Sequence, residues 1–170
     1  MEKGVNSMKI AKYEAPWGRI LLGAEGEYLV GLWTDGDKAI TKIENAEIRE
    51  SGALTQTMKW LDAYFDRTNP SIHDLPLLLQ GSEFQQLVWS QLMGIPYGET
   101  VTYGAIAKRI AQQRGLQRMS AQAVGGAVGR NPIGIIVPCH RVIGSDGSLT
   151  GYAGGIDVKR WLLRHEGVNI

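Results

Sequence analysis

Between Met8 and Gly36 short apolar runs alternate with breaks. In "MKIAKYEAPWGRILLGAEGEYLVGLWTDG" the interruptions Pro16-Trp17-Gly18, Glu25-Gly26 and Asp35-Gly36 are turn signals, so a β-hairpin or meander is expected. The period then changes. In "LTQTMKWLDAYFD", residues 54–66, Leu54, Met58, Leu61 and Phe65 recur at helical spacing, and Asn69-Pro70 is expected to stop that helix. "SIHDLPLLLQGS" reads as a last extended segment and linker.

From Ser82 onward the pattern is mostly helical. "SEFQ" has the form of a capping box, Ser82 as N-cap with Gln85 three residues on, followed by Leu87, Val88 and Leu92 on one side. Gly94–Gly98, "GIPYG", is a turn. "TYGAIAKRIAQ" starts a second helix capped by Thr102, and after a glycine-containing connection "MSAQAVGGAVG" starts a third capped by Ser120. Two short helices across a tight link match a helix-turn-helix, a pattern also common in all-α domains. "IGIIV" reads as a strand. The closing "DVKRWLLRHEG" reads as a helix with Asp157 as cap, Trp161, Leu162 and His165 at helical spacing and Gly167 just past its end. The expected fold is α/β (α+β), with an N-terminal β/α subdomain over residues 1–79 and a mainly helical C-terminal subdomain over residues 80–170.

Composition narrows the class. The 170 residues are 44% hydrophobic and 21% charged, as in a soluble globular chain. No apolar run approaches the roughly 20 residues that span a bilayer, and "MEKGVNSMKI" lacks a secretory apolar segment, so a cytoplasmic protein is expected. The net charge of +1 hides an asymmetry: residues 1–79 carry 9 Lys+Arg against 12 Asp+Glu, net −3, and residues 80–170 carry 9 against 5, net +4. The basic half is weakly suggestive of a polyanion partner.

The basic half also holds Cys139, the only cysteine, which rules out an internal disulfide or a multi-thiol metal site. A lone cysteine is either a small core residue or a reactive thiol. Its setting, "IIVPCHRVIG", favours the second. Pro138 fixes φ immediately before the sulfur, and His140 offers a base that could reach the thiol through a water even if its ring points away. Such a histidine needs an orienting carboxylate. Of the five in this half (Glu83, Glu99, Asp146, Asp157 and Glu166), Glu166 is the one least explained by a cap or a turn. The alternatives are a histidine bonded to backbone and a glutamate on a solvated helix end.

From about Phe84 to Gly167, "NPIGIIVPCHRVIGSDGSLTGYAGG" followed by "KRWLLRHEG" resembles the active-site block of the O6-alkylguanine-DNA alkyltransferases, also called methylated-DNA-protein-cysteine methyltransferases. Residues 1–79 match only in general β/α character, for which the resemblance implies a ribonuclease H-like sheet. It implies repair of O6-alkylguanine, and of O4-alkylthymine, by single-turnover transfer of the alkyl group to Cys139 after the nucleotide is flipped out. His140 would take the thiol proton through a water with Glu166 behind it, and Asn131 would hold the turn before the cysteine. Tyr103 would support base rotation and bond the flipped guanine. The main chain at Cys139 and Val142 would accept from the guanine amine, and Tyr152 and Ala153 would line the pocket. The thioether product has no route back to a thiol, so each molecule reacts once.

The same resemblance implies binding to double-stranded DNA through the minor groove with little sequence preference, by a monomer with no obligate protein partner and no membrane association. Gln122, Ala121, Gly125, Arg130, Ser145 and Phe84 are the implied DNA contacts, with Arg118 and Lys108 as further phosphate candidates. No cofactor and no metal are implied. In "AQAVGGAVG" the small residues suit close approach to a groove, whereas without the resemblance a tight helix pair inside the protein is the simpler reading. Two departures stand out: Gln122 occupies the place where many members insert an arginine into the base stack, and "AQQRGLQR" lengthens the helix connection. Competing readings are a recognition protein that binds alkylated bases without removing them, a thiol hydrolase, and a helix-turn-helix regulator. The retained Cys139 argues against the first, nothing in the chain suggests an oxyanion hole for the second, and the third would show longer base-reading side chains.

Overall fold

The computed structural model describes residues 8–43 and 46–170, and the chain divides into two compact units, one ending at Leu79 and the other beginning at Gln80. The first unit is a four-stranded sheet with a helix. Strands β1 (Met8–Ala15), β2 (Gly18–Glu25) and β3 (Tyr28–Thr34) form the meander, joined by two-residue turns between Ala15 and Gly18 and between Glu25 and Tyr28. Gly26, at φ 57°, supplies the left-handed residue that a tight hairpin turn needs. The short β4 (Glu47–Ile48) runs parallel to β1, giving the order β3-β2-β1-β4. The segment read as extended adds one parallel bridge from Leu77 to Leu29 at the far edge.

Helix α1 spans Gly52–Phe65, starting two residues earlier than its apolar pattern because Ser51 caps it, its hydroxyl accepting from Leu54 N. Its buried face is Ala53, Leu54, Thr57, Trp60, Leu61 and Tyr64; Met58 and Phe65, placed in the apolar stripe from sequence, are only half-buried. The helix stops at Phe65, before Asn69-Pro70. Arg67 (φ 61°) and Asn69 (φ 49°) are left-handed, so the backbone has already left the helix when the proline arrives.

In the second unit α2 (Glu83–Met93) carries both halves of the capping box, Ser82 Oγ accepting from Gln85 N and Gln85 Oε1 from Ser82 N. Its deepest residue is Trp89 rather than Leu87: the ring is buried and its Nε1 donates to Ala127 O at 2.9 Å. This ties α2 to the second helix of the expected pair. Helices α3 (Tyr103–Arg114) and α4 (Ala121–Gly129) begin at Thr102 and Ser120, and Gly115 closes α3 in the left-handed conformation. The last helix, α5 (Ile156–His165), is not capped by Asp157. Gly155 holds the N-cap without a side-chain bond, and Asp157 sits in the first turn, exposed, 3.3 Å from Arg160, where a carboxylate still favours the helix dipole. Gly167, at φ 89°, takes the position after the α5 cap. No helix among the described residues is long and apolar enough to cross a membrane.

Candidate active site

The apolar run before Cys139 is not a strand. Ile133, Ile135, Ile136 and Val137 are all buried, but beyond a single bridge at Ile133 the backbone turns on itself, Ile136 N donating to Gly134 O and Val137 N to Ile133 O. A run buried on every side reads like a core strand in sequence, yet here Asn131 replaces the ladder. Its Oδ1 accepts from Ile133 N at 3.0 Å and its Nδ2 donates to Val137 O at 2.8 Å.

Two tight turns follow one another in this segment. The Gly134–Ile136 bond spans Ile135 at φ 68°, a γ-turn in its rare, strained form for a β-branched residue. Cys139 N then donates to Val137 O at 2.8 Å across Pro138, whose φ of −83° and ψ of 64° are those of an inverse γ-turn. Proline suits this centre because its φ is already fixed and the turn asks nothing of its nitrogen. Val137 O therefore accepts from both Asn131 and Cys139, which holds the backbone at the thiol from two directions.

Cys139 opens a single 3-10 turn, Cys139–Arg141, and is 9% exposed. His140 is fully buried. Its Nε2 lies 2.6 Å from Glu166 Oε2, and its Nδ1 makes no hydrogen bond with any described residue. Arg141 completes the group, with Nε 2.7 Å from Glu166 Oε1, Nη2 3.1 Å from Oε2, and Nη1 donating to Ile95 O. Gly98 N adds a fourth donor to the carboxylate at 3.0 Å.

Burial alone would raise the Glu166 pKa, but the hydrogen bonds and charges of His140 and Arg141 outweigh it and hold the carboxyl well below the usual range. Burial lowers the His140 pKa despite the pull of Glu166, so the imidazole is neutral at pH 7. An ionised carboxylate can only accept, so Nε2 carries the proton and donates to Glu166, leaving Nδ1 with a free lone pair. That is the tautomer of a base.

Tyr103 reaches this region because β5 (Val101–Thr102) pairs in parallel with β6 (Val142–Ile143). Its hydroxyl donates to Thr150 O at 3.1 Å. Lys159, buried on α5, donates to Val142 O at 2.6 Å and to Thr150 O at 3.0 Å, and its Nζ lies 5.9 Å from the Tyr103 ring centroid. The Val142 carbonyl expected to face the guanine amine is thus already an acceptor, with a second lone pair left over. Tyr152 is half-buried and Ala153 exposed in the loop before α5. Desolvation of Lys159 lowers its pKa.

The outer face of α4 is Ala121, Gln122, Ala123, Gly126 and Gly129, all exposed. A Cβ built on Gly126 or Gly129 meets nothing within 4 Å, and one on Gly125 makes only ordinary contact with the Tyr103 ring at 3.7 Å. The glycines of this helix are therefore not demanded by internal packing, which was the competing reason for their size. Arg130 at the end of α4 and Ser145 in the Gly144–Ser148 turn are exposed, while Phe84 on α2 is half-buried. A surface pocket of about 710 Å³ runs along α3 and the α3–α4 connection, with Lys108 and Arg118 on its walls.

Sequence reasoning missed Arg141, Lys159 and Gly98. The available signals were an arginine inside an apolar stretch and a lysine in register with Leu162 and Leu163 on α5.

The class so defined is one of proteins that hold a cysteine beside a buried, carboxylate-oriented histidine. Comparison with known proteins narrows it. The family model described as 6-O-methylguanine DNA methyltransferase, DNA binding domain, matches residues 83–168, and that described as its ribonuclease-like domain matches residues 8–79. The chain belongs to the 6-O-methylguanine DNA methyltransferase family. It is 44% identical over 161 residues to the methylated-DNA–protein-cysteine methyltransferase of Methanosarcina acetivorans, covering 94% of this chain and 99% of that protein. Identity to the protein of the same name from Mycobacterium leprae is 43% over 90% of this chain and 88% of that one. Among solved structures, Mycobacterium tuberculosis OGT in complex with DNA superposes with a TM-score of 0.77 at 42% identity, covering 93% of this chain and 92% of that chain.

Proposed function

We propose that this protein is a methylated-DNA–protein-cysteine S-methyltransferase that removes the alkyl group from O6-alkylguanine, and from O4-alkylthymine, in double-stranded DNA and keeps it on Cys139. The observation that carries this reading is the buried His140, whose Nε2–H is committed to Glu166 and whose Nδ1 is free to accept, directly following the chain's single thiol.

In the reaction the thiol proton passes to His140 Nδ1 through a water. Sγ attacks the alkyl carbon, the carbon–O6 bond breaks, and the departing guanine takes a proton at N1, so that one thiol and one alkylguanine become one thioether and one guanine. No oxidant or reductant is consumed, because the alkyl group moves from oxygen to sulfur without a change of oxidation state at either partner. Positioning of the sulfur, here by the Pro138 turn and Asn131, supplies much of the rate for so poor an electrophile. The atom is out of reach inside a stacked duplex, so the nucleotide is flipped into the pocket bounded by Tyr103, Val142, Tyr152 and Ala153.

The DNA surface is the bare face of α4 against the minor groove, with Gln122 entering the space left by the flipped base and Arg130, Ser145, Lys108 and Arg118 meeting phosphates. Ala121, Gly125 and Phe84 belong to the same surface. Short side chains read little sequence, so binding is weakly specific. The protein acts as a cytoplasmic monomer, and the N-terminal unit supports the C-terminal one.

Intact-protein mass and peptide mapping after incubation with a duplex holding one O6-methylguanine test the reading. One added methyl on the Cys139 peptide, with guanine restored, is the expected result, and Cys139→Ser should still bind the duplex without reacting. Binding by fully reduced wild-type protein with no mass change would overturn it.

A further inference from the structure

We propose that Arg141 is a positioning residue for the transfer: its two-point grip keeps the Glu166 carboxylate ionised and fixed, and so keeps His140 in the tautomer whose Nδ1 can accept a proton from Cys139. The proposal rests on the reading of Cys139 as the nucleophile.

Both carboxylate oxygens are engaged twice, Oε1 by Arg141 Nε and Gly98 N, Oε2 by His140 Nε2 and Arg141 Nη2. Two of these four donors, Gly98 N and His140 Nε2, are neutral. Arg141 brings a permanent cation to the carboxylate at 2.7 Å, and Glu166 itself is 6% exposed. The planar fork matches a carboxylate at two points where a lysine gives one. Arg141 is itself held, by Ile95 O through Nη1 and by the Tyr97 ring 5.7 Å from its Cζ.

Without the cation, a buried carboxylate next to a neutral imidazole takes up a proton at a higher pH. Two outcomes follow, and both disable the base. A protonated Glu166 donates to Nε2 and moves the ring proton to Nδ1; a protonated imidazole has hydrogens on both nitrogens. Arg141 on the same turn and Lys159 on α5 are the charged groups whose fields act on His140 beside that of Glu166, and Cys139, its neighbour in the chain, acts on Lys159. Lys159 is bonded to Val142 O and Thr150 O rather than to the carboxylate.

The test combines three readouts on the full-length protein. Nitrogen-15 NMR of histidine-labelled wild type should show His140 protonated at Nε2 and bare at Nδ1 at pH 7, identified among the three histidines by loss of its signals in His140→Asn. The rate of Cys139 alkylation by iodoacetamide, which needs no DNA, and the rate of methyl transfer are then measured from pH 5.5 to 9. In Arg141→Gln the acid limb of both profiles should move up by about one pH unit or more, a loss that grows toward about tenfold at the acid end of the range, while rates at pH 9 stay within about threefold of wild type. Arg141→Lys should fall between the two, and it decides the question if Arg141→Gln does not fold.

A wild type with hydrogen on Nδ1 at pH 7 overturns the proposal. So does an Arg141→Gln that is slower by the same factor at every pH with an unchanged tautomer, or an Arg141→Lys that matches wild type throughout. A protein that takes no methyl from DNA yet shows the alkylation shift refutes the transferase reading and leaves the role of Arg141 standing. The converse pattern refutes Arg141 alone.

Discussion

Gly126→Ala is expected to make the protein more stable and worse at binding DNA. Gly126 lies sixth of nine residues in α4, is exposed, and an added Cβ meets nothing within 4 Å. Replacing an unstrained helix-interior glycine with alanine gains about 1 kcal/mol, through helix propensity and a less flexible unfolded chain. In a unit of roughly this size that raises the melting temperature by about 4–8 °C. If the face of α4 lies against DNA, the same methyl intrudes on a close contact, and overpacking of that kind costs about 1–3 kcal/mol. Affinity for duplex DNA should then fall about 5- to 150-fold. Thermal melting followed by circular dichroism reads the first effect, and fluorescence anisotropy with a labelled duplex at fixed salt reads the second. A variant that is stabilised but binds as wild type would refute the placement of this helix in the groove. A variant that is destabilised would mean that something packs on Gly126 after all.

Glu166→Gln removes a charge-assisted bond worth about 1.5–3 kcal/mol to the orientation of His140, so single-turnover transfer well below the melting temperature should slow about 10- to 150-fold; an unchanged rate removes Glu166 from the mechanism. Gly98→Ala should destabilise the protein and slow transfer together, because Gly98 is at φ 79° and a Cβ would come 2.9 Å from Glu166 O, a backbone atom that cannot step aside; a neutral melting temperature counts against this. Asn131→Ala loses both bonds that bracket the cysteine turn, with an expected cost of about 1–3 kcal/mol read by urea unfolding. Folding stability should decline as pH falls below about 6.5, where unfolded His140 takes a proton that the folded site refuses, and decline faster below about 4.5, where unfolded carboxylates protonate before Glu166 does. A flat melting temperature between pH 7 and 5 would contradict the neutral burial of His140.

Much of the local structure was legible because its causes are local. The turns of the meander, the Ser82–Gln85 box and the caps at Thr102 and Ser120 depend on residues within three or four positions of one another. Where packing decides, the local pattern points elsewhere. "IGIIV" has the composition of a core strand, and only the Asn131 bonds and the γ-turns that they frame make it something else. The stripe on α1 is rotated from the one its large residues suggest because Thr57 is buried, its hydroxyl satisfied by Ala53 O, while Met58 is not. Asp157 looks like a cap by type, but Gly155 already fills the position.

By itself the sequence determined that a single thiol sits next to a proline and a histidine in a basic, mainly helical half, and which carboxylate was left without a local task. What it could not contain is the approach of residues far apart in the chain. Arg141 and Gly98 meet Glu166 from 25 and 68 residues away, and Lys159 meets Val142 across 17. The contacts to Glu166 decide that it stays ionised and that the His140 proton is on Nε2. Protonation and tautomer are properties of a buried electrostatic environment, and only the folded chain assembles one.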